Sequence, residues 1–298
     1  MHNPEPLDLS KLKVSPLTER DSITSIKDVL INPDSTPAGC TDAQREIIDQ
    51  CAVAIRAARK NGAGVMLIYG AHLIKNGAHR LLDRLMRGDW LTHLATNGAG
   101  VIHDWEWAYH GHSMENVRAN VANGTFGTWD ETGRNIHLAI LAGSARNDGF
   151  GKSIGRFVEE DGVTLPDPAK LGTNITTAKV ELLDSMQKHD LAAGRHSVAH
   201  PWKETSVLAS AFRCDVPLTV HPGIGYDIIS NHPMFNGAAL GRAAGLDYRL
   251  FGGSVETLDG GVVLNVGSAI MGPQVFEKSL SCVNNLRLQE GREAVQNH

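Results

Sequence analysis

The sequence predicts an α/β protein built on an open, mainly parallel sheet with helices on both faces. Three observations predict it. Short unbroken apolar runs lie between glycines at 64–70 and 260–268, the pattern of strands buried on both sides. A run, a helix and a second run follow one another with short connections over 64–96, a βαβ unit that implies parallel strands. The chain has 298 residues, 42% of them hydrophobic, with 31 glycines and only 5% aromatics, enough for one large core with many tight turns.

Taken in order, residues 1–40 carry prolines at 4, 6, 16, 33 and 37 and no periodicity, so they read as an extended arm packed on the body or on a neighbouring subunit. Residues 41–298 read as a single α/β domain. Thr41 is an expected N-cap, and Ile47, Ile48, Cys51, Ile55 and Ala58 form a helical stripe that Asn61 and Gly62 end. The first strand spans 64–70. A turn at 71–77 leads to a helix with Ala78, Leu81, Leu82, Leu85 and Met86 inward, and a second strand covers 90–96. Further helices are expected over 101–109, 113–122, 132–141, 153–160, 177–189, 204–212 and 273–285. Residues 161–173 read as a surface loop from their Pro, Asp and Gly content. A strand over 216–221 breaks into the turn 222–225, and a last buried strand over 260–268 breaks into another.

The net charge of -5 without a basic block gives nucleic-acid binding little electrostatic support. No apolar run reaches the ~20 residues that span a bilayer, so no membrane partner is expected. The polar first residues lack the apolar core of a signal peptide, which makes a cytoplasmic protein the expectation. Cys40, Cys51, Cys214 and Cys282 have no zinc or disulfide spacing and read as reduced, mostly buried thiols.

In an open parallel sheet, ligands bind beyond the carboxyl ends of the strands. Four turns leave those ends. The first offers His72, Lys75, Asn76 and Gly77, and the second Thr96, Asn97, Gly98, Ala99, His103 and Asp104. The third offers His221, Gly223, Gly225 and Asp227, and the fourth Asn265, Gly267 and Ser268. Glycine lets a backbone approach a bulky anion, a following helix N-terminus favours its phosphates, and Asn and Ser can hold hydroxyls. The standard nucleotide fingerprints fail. Gly62-Ala-Gly64 precedes a strand and has Leu67 at its third position, Gly223-Ile-Gly225 has Ile228 there, and the stretch 172–179 has Ala178 where a Walker loop needs Gly.

Histidine is plentiful at 14 residues. His110 and His112 would point about 200° apart on a helix, so helical geometry offers them no shared metal, and no metal site is assigned. His93, mid-strand, reads as a satisfied core residue. His103 and His221 stand at strand exits as the candidate acid/base pair, with Asp104 and Asp227 to orient them or hold substrate, or alternatively to cap helices. Glu131 and Glu204 are candidate substrate-binding acids, or first-turn acids of their helices.

Together these segments resemble deoxyhypusine synthase. Residues 69–106 (YGAHLIKNGAHRLLDRLMRGDWLTHLATNGAGVIHDWE) are similar to that family's first cofactor-binding βαβ, residues 203–227 to its amine-binding stretch, and 260–263 (GGVV) to its glycine-rich cofactor turn. The resemblance implies a modified Rossmann sheet and a homotetramer built as a dimer of dimers. It implies NAD at His72, Leu73, Lys75, Asn76, Gly77, Thr96, Asn97, Gly98, Gly260 and Gly261, and a polyamine region at His103, Asp104 and Asp227. Ile102-His103-Asp104 stands where the family has paired acids, the last lysine is Lys278, and no Trp-Gly-Lys loop exists. The expectation is therefore an NAD-dependent oxidoreductase or transferase acting on a small amine, imine or polyol, rather than transfer to a protein lysine. The alternative is a non-redox lyase or hydrolase using the same histidines, with or without a metal.

Overall fold

The computed structural model describes residues 3–170 and 176–297. Its main sheet has four parallel strands, Val65–Tyr69, His93–Thr96, Leu218–Val220 and Val262–Val266. Val65–Tyr69 is central, with His93–Thr96 and then Leu218–Val220 on one side and Val262–Val266 on the other. Counted by sequence, the spatial order is third, second, first, fourth, so the direction of winding reverses between Val65–Tyr69 and Val262–Val266.

The central strand explains its own composition. Val65, Leu67 and Tyr69 enter the larger core with Leu94, Val101 and Trp105. Met66 and Ile68 enter a second core on the other face with Ala95, Phe251, Val255 and Leu258. A strand buried on both faces cannot alternate apolar with polar residues, hence the unbroken run. The last strand was expected to be as buried, but it pairs on one side only, and Val266 is 45% exposed.

The largest departure from the sequence reading is the helix Gly237–Val255, which that reading left unassigned. Its glycines look like turn signals. Yet Leu240, Ala243, Phe251 and Val255 share its buried face, while Gly241, Gly245, Gly252 and Gly253 border open space. From this helix Asp247 accepts the backbone N–H groups of Gly151 (2.9 Å) and Val220 (2.8 Å), tying the helix Phe150–Glu159 to the sheet. A second correction concerns 161–173. Gly162–Leu165 is a strand paired antiparallel with Gly194–Ser197, and Pro168–Lys170 is a 3-10 turn. Residues 171–173, and 172–175 of the stretch tested for a Walker loop, lie outside the described residues.

Part of the segment before residue 42 packs on the body. Leu17 and Ile26 are buried, Thr24–Ser25 pairs with His112–Ser113, and Ser15 bridges to Trp129. The helix Asp42–Lys60 opens with a capping box between Thr41 and Gln44, and its first half stands in solvent with Ile47 and Ile48 exposed. The cysteines depart from the expected burial: Cys40, Cys51 and Cys214 are half-buried, Cys282 is exposed and all are free. Among the described residues, no helix is long and apolar enough to cross a membrane.

Candidate active site

Because the four strands are parallel, their exits share one edge of the sheet. The exits of Val65–Tyr69 and its edge neighbour Val262–Val266 touch: Gly70 donates its N–H to Val266 O at 3.0 Å, and a Cβ on Gly70 would lie 2.7 Å from Ser268 N. On the other side of the sheet the exits of His93–Thr96 and Leu218–Val220 also join, with His221 N–H donating to Thr96 O at 2.8 Å. Ser268 takes a left-handed backbone with φ of 52°, and its hydroxyl is buried with no hydrogen-bond partner. The Tyr69, Ser230 and Ser279 hydroxyls are likewise buried without a partner, but Ser268 is the one that stands at a strand exit.

Beside this edge lies a cavity of ≈ 220 Å³, whose charged and polar lining comprises Arg20, Lys75, His103, Glu106, Glu115, Tyr226 and Asp227. Glu106, on the helix Gly98–His110, is fully buried. Arg20 grips it from the N-terminal segment with two N–H···O contacts of 2.6 and 2.9 Å. Ser113 Oγ donates to Glu106 at 2.6 Å and Thr132 Oγ1 at 3.0 Å. Burial works against the Glu106 charge, yet the Arg20 guanidinium and these donors hold its carboxyl below the usual carboxylate range.

His103 Nδ1 lies 2.7 Å from Ser113 Oγ. The single Ser113 proton points to the Glu106 carboxylate, so Ser113 can only accept from His103. The imidazole therefore carries its proton on Nδ1 and leaves Nε2 as a lone-pair site. Burial lowers the His103 pKa to about 4 against the opposing pull of Glu106, with Lys75 and Arg20 adding to the fall. The ring is neutral at pH 7, a state in which Nε2 can accept a proton.

The other sequence-derived candidates fall in several places. Asp227 spans two turns: its carboxylate accepts the Gly223 N–H at 2.8 Å and the N–H groups of Gly98 and Ala99. It thus caps the helix Gly98–His110 and would collide with any side chain at Gly98. Asn97 Oδ1 accepts the Gly100 N–H, and Thr96 Oγ1 donates to Tyr69 O, so both are engaged in the turn itself. Asn76 donates to His72 O. Gly77 has φ of 80° and lies under the Val29 carbonyl, where it holds the N-terminal segment.

Several candidates lie away from the cavity. Gly260 and Gly261 precede the strand Val262–Val266 and so sit at the opposite edge of the sheet from the cavity. Asp104, one residue from His103, turns into the interior and accepts from Ser206 Oγ (2.6 Å), Val207 N (2.8 Å) and Leu208 N (3.2 Å), capping another helix, Val207–Arg213. His221 packs edge-on against Phe251 and shares the Thr219 hydroxyl with His93, so it does not meet His103. Glu131 accepts the Leu17 N–H at 2.6 Å, docking the N-terminal segment. Glu204 is exposed beside Arg213. Asn265 is exposed on the edge strand near Gly272. Among the described residues, no group of three His, Cys, Asp or Glu could hold a metal ion.

Sequence reasoning missed Arg20, Glu106 and Ser113. Arg20 lies in a segment without periodicity, 86 residues from its partner. The one available signal was Glu106 at a helical position one turn beyond His103.

No family model and no curated protein matches the chain. Several solved structures resemble it distantly. The ternary complex of AgrE with ornithine and NAD+ shares 15% identity over 88% of this chain and 32% of its own, with a TM-score of 0.43. A LOR/SDH-type protein from Methanococcus maripaludis S2 shares 13% identity over 84% of this chain and 59% of its own, with a TM-score of 0.40. A protein assigned as a deoxyhypusine synthase from Entamoeba histolytica shares 10% identity over 70% of this chain and 58% of its own, with a TM-score of 0.35. The chain spans between about a third and three-fifths of these proteins' lengths.

Proposed function

We propose that the protein is an NAD-dependent enzyme acting on a small amine, imine or polyol held in the cavity beside His103. The observation that carries this reading is the reversal of winding between Val65–Tyr69 and Val262–Val266, with the unpartnered Ser268 hydroxyl at that crevice. Such switch points are where open α/β sheets bind dinucleotides. On this reading His72, Asn265 and Ser268 hold NAD, which supplies a hydride acceptor. The protein's own residues do the proton work. Glu106, held by Arg20, fixes the Ser113 hydroxyl. Ser113 in turn fixes the His103 tautomer, and His103 Nε2 takes the substrate proton. Assembly as a homo-oligomer belongs to the same proposal.

A second reading is a non-redox lyase or hydrolase that uses the same His103 chain without a dinucleotide. One observation favours it: the Asp227 carboxylate already occupies the amino end of the helix Gly98–His110, the place a diphosphate would take. Titration calorimetry with NAD separates the two. The first reading expects saturable binding that weakens at least tenfold in Ser268→Ala. No heat at millimolar NAD removes it and leaves the second.

A further inference from the structure

The cavity is lined by charges of both signs, two of which form no ion pair among the described residues. Arg20 is fully engaged by Glu106, so that pair presents no net charge. Lys75 has no hydrogen-bond or ion-pair partner among the described residues, yet its charge reaches His103. Glu115 accepts from the Asn120 side-chain amide at 2.6 Å and from the Gly127 N–H at 3.3 Å. Both of those donors are neutral, and Glu115 forms no ion pair among the described residues. Asp227 accepts three backbone N–H groups at a helix amino end, which commits its carboxylate to the turn, and burial still raises its pKa. Two side chains are left, one cationic and one anionic, on the wall of a single ≈ 220 Å³ cavity.

A partly desolvated charge without a counter-charge is unfavourable, and a ligand of opposite sign relieves it. We infer that the cavity binds a small zwitterion, an amino acid, with its carboxylate on Lys75 and its ammonium on Glu115. A simple amine would leave Lys75 unmatched, and a simple acid would leave Glu115 unmatched. This deepens the reading of the crevice as an active site, because such a ligand is an amine whose second charged group fixes its orientation relative to His103. The volume admits a short side chain.

The test is calorimetry on the full chain without NAD, using three matched probes: L-2-aminobutyrate, butyrate and 1-propylamine. The second lacks the ammonium and the third the carboxylate. The inference expects saturable binding of 2-aminobutyrate at least tenfold tighter than either single-charge probe. Lys75→Met should reduce it to the level of 1-propylamine, and Glu115→Gln to the level of butyrate, with thermal melts confirming that both variants fold. Equal binding of 1-propylamine and 2-aminobutyrate overturns the inference. So does indifference to both substitutions, or failure of all three probes to bind. Because NAD is absent, these outcomes are independent of the cofactor reading, which its own titration decides.

Discussion

Arg20 and Glu106 form a buried, two-pronged ion pair across 2.6 and 2.9 Å, joining the segment ahead of the first long helix to the helix that carries His103. Neither side chain is more than 6% exposed, and the hydroxyls of Ser113 and Thr132 complete the carboxylate's partners. The pair does two things at once. It docks the N-terminal segment, and it keeps Glu106 charged so that the Ser113 proton has one destination.

Breaking one half of this pair should be worse than removing both. Arg20→Met leaves a buried carboxylate without its cation and should cost about 3–5 kcal/mol in urea-induced unfolding. The double variant Arg20→Met with Glu106→Leu should recover part of that loss. A loss below ~1 kcal/mol in the single variant would mean that water reaches the site and the pair contributes little.

The tautomer of His103 gives a test that needs no substrate. Nitrogen-correlated NMR spectra of the wild type should show the proton on Nδ1 and a bare Nε2. Ser113→Ala removes the acceptor for that proton and should return the ring to a mixture of tautomers. An unchanged spectrum would show that Ser113 does not position the ring.

Acid should unfold the protein through its histidines. Burial lowers the pKa of His79, His103, His137, His200 and His221 to about 4 and that of His93 to about 3. Each folded value lies below the unfolded one of ~6.5, so the unfolded chain binds more protons in between. Stability therefore falls as pH drops from ~6.5 towards 4, by up to ~1.4 kcal/mol per pH unit for each ring. Urea unfolding measured between pH 5 and 7 should show this slope, reduced by about one proton in His93→Gln. Asp104 and Asp247, whose burial raises their pKa to about 6 and about 7, take up protons in the folded state over the same range and offset part of this slope, so the His93→Gln difference is the deciding readout: no change in slope would overturn the assignment of His93 as neutral.

Asp104 separates a structural carboxylate from the site next to it. Asp104→Ala leaves Val207 N–H, Leu208 N–H and the Ser206 hydroxyl without their acceptor in a dry interior. A loss of at least ~2 kcal/mol is expected. Binding of L-2-aminobutyrate by the folded variant should be unchanged. Selective loss of binding at unaltered stability would place Asp104 in the site after all.

Much of the scaffold was legible because its signals are local. The apolar run at 65–69 and the Thr41 cap announce their elements within a few residues. The helix Gly237–Val255 was illegible for the converse reason: its glycines carry the local signature of turns, and only packing against the sheet makes them helical. The four strand exits were identified as a group because parallel strands must all leave at one edge. The same rule excludes Gly260 and Gly261, which enter a strand rather than leave it.

The sequence by itself determined a parallel α/β core and the edge at which its strands exit, since strand burial and direction are written in short-range patterns. Only the tertiary structure decided which polar residues line the cavity beside that edge. It turned Asp104 and His221 inward, set Asp227 on a helix end, and brought Arg20 to Glu106. Those choices depend on contacts between residues tens to a hundred positions apart. Their energy comes from desolvation and pairing in the folded state, which no stretch of sequence contains alone.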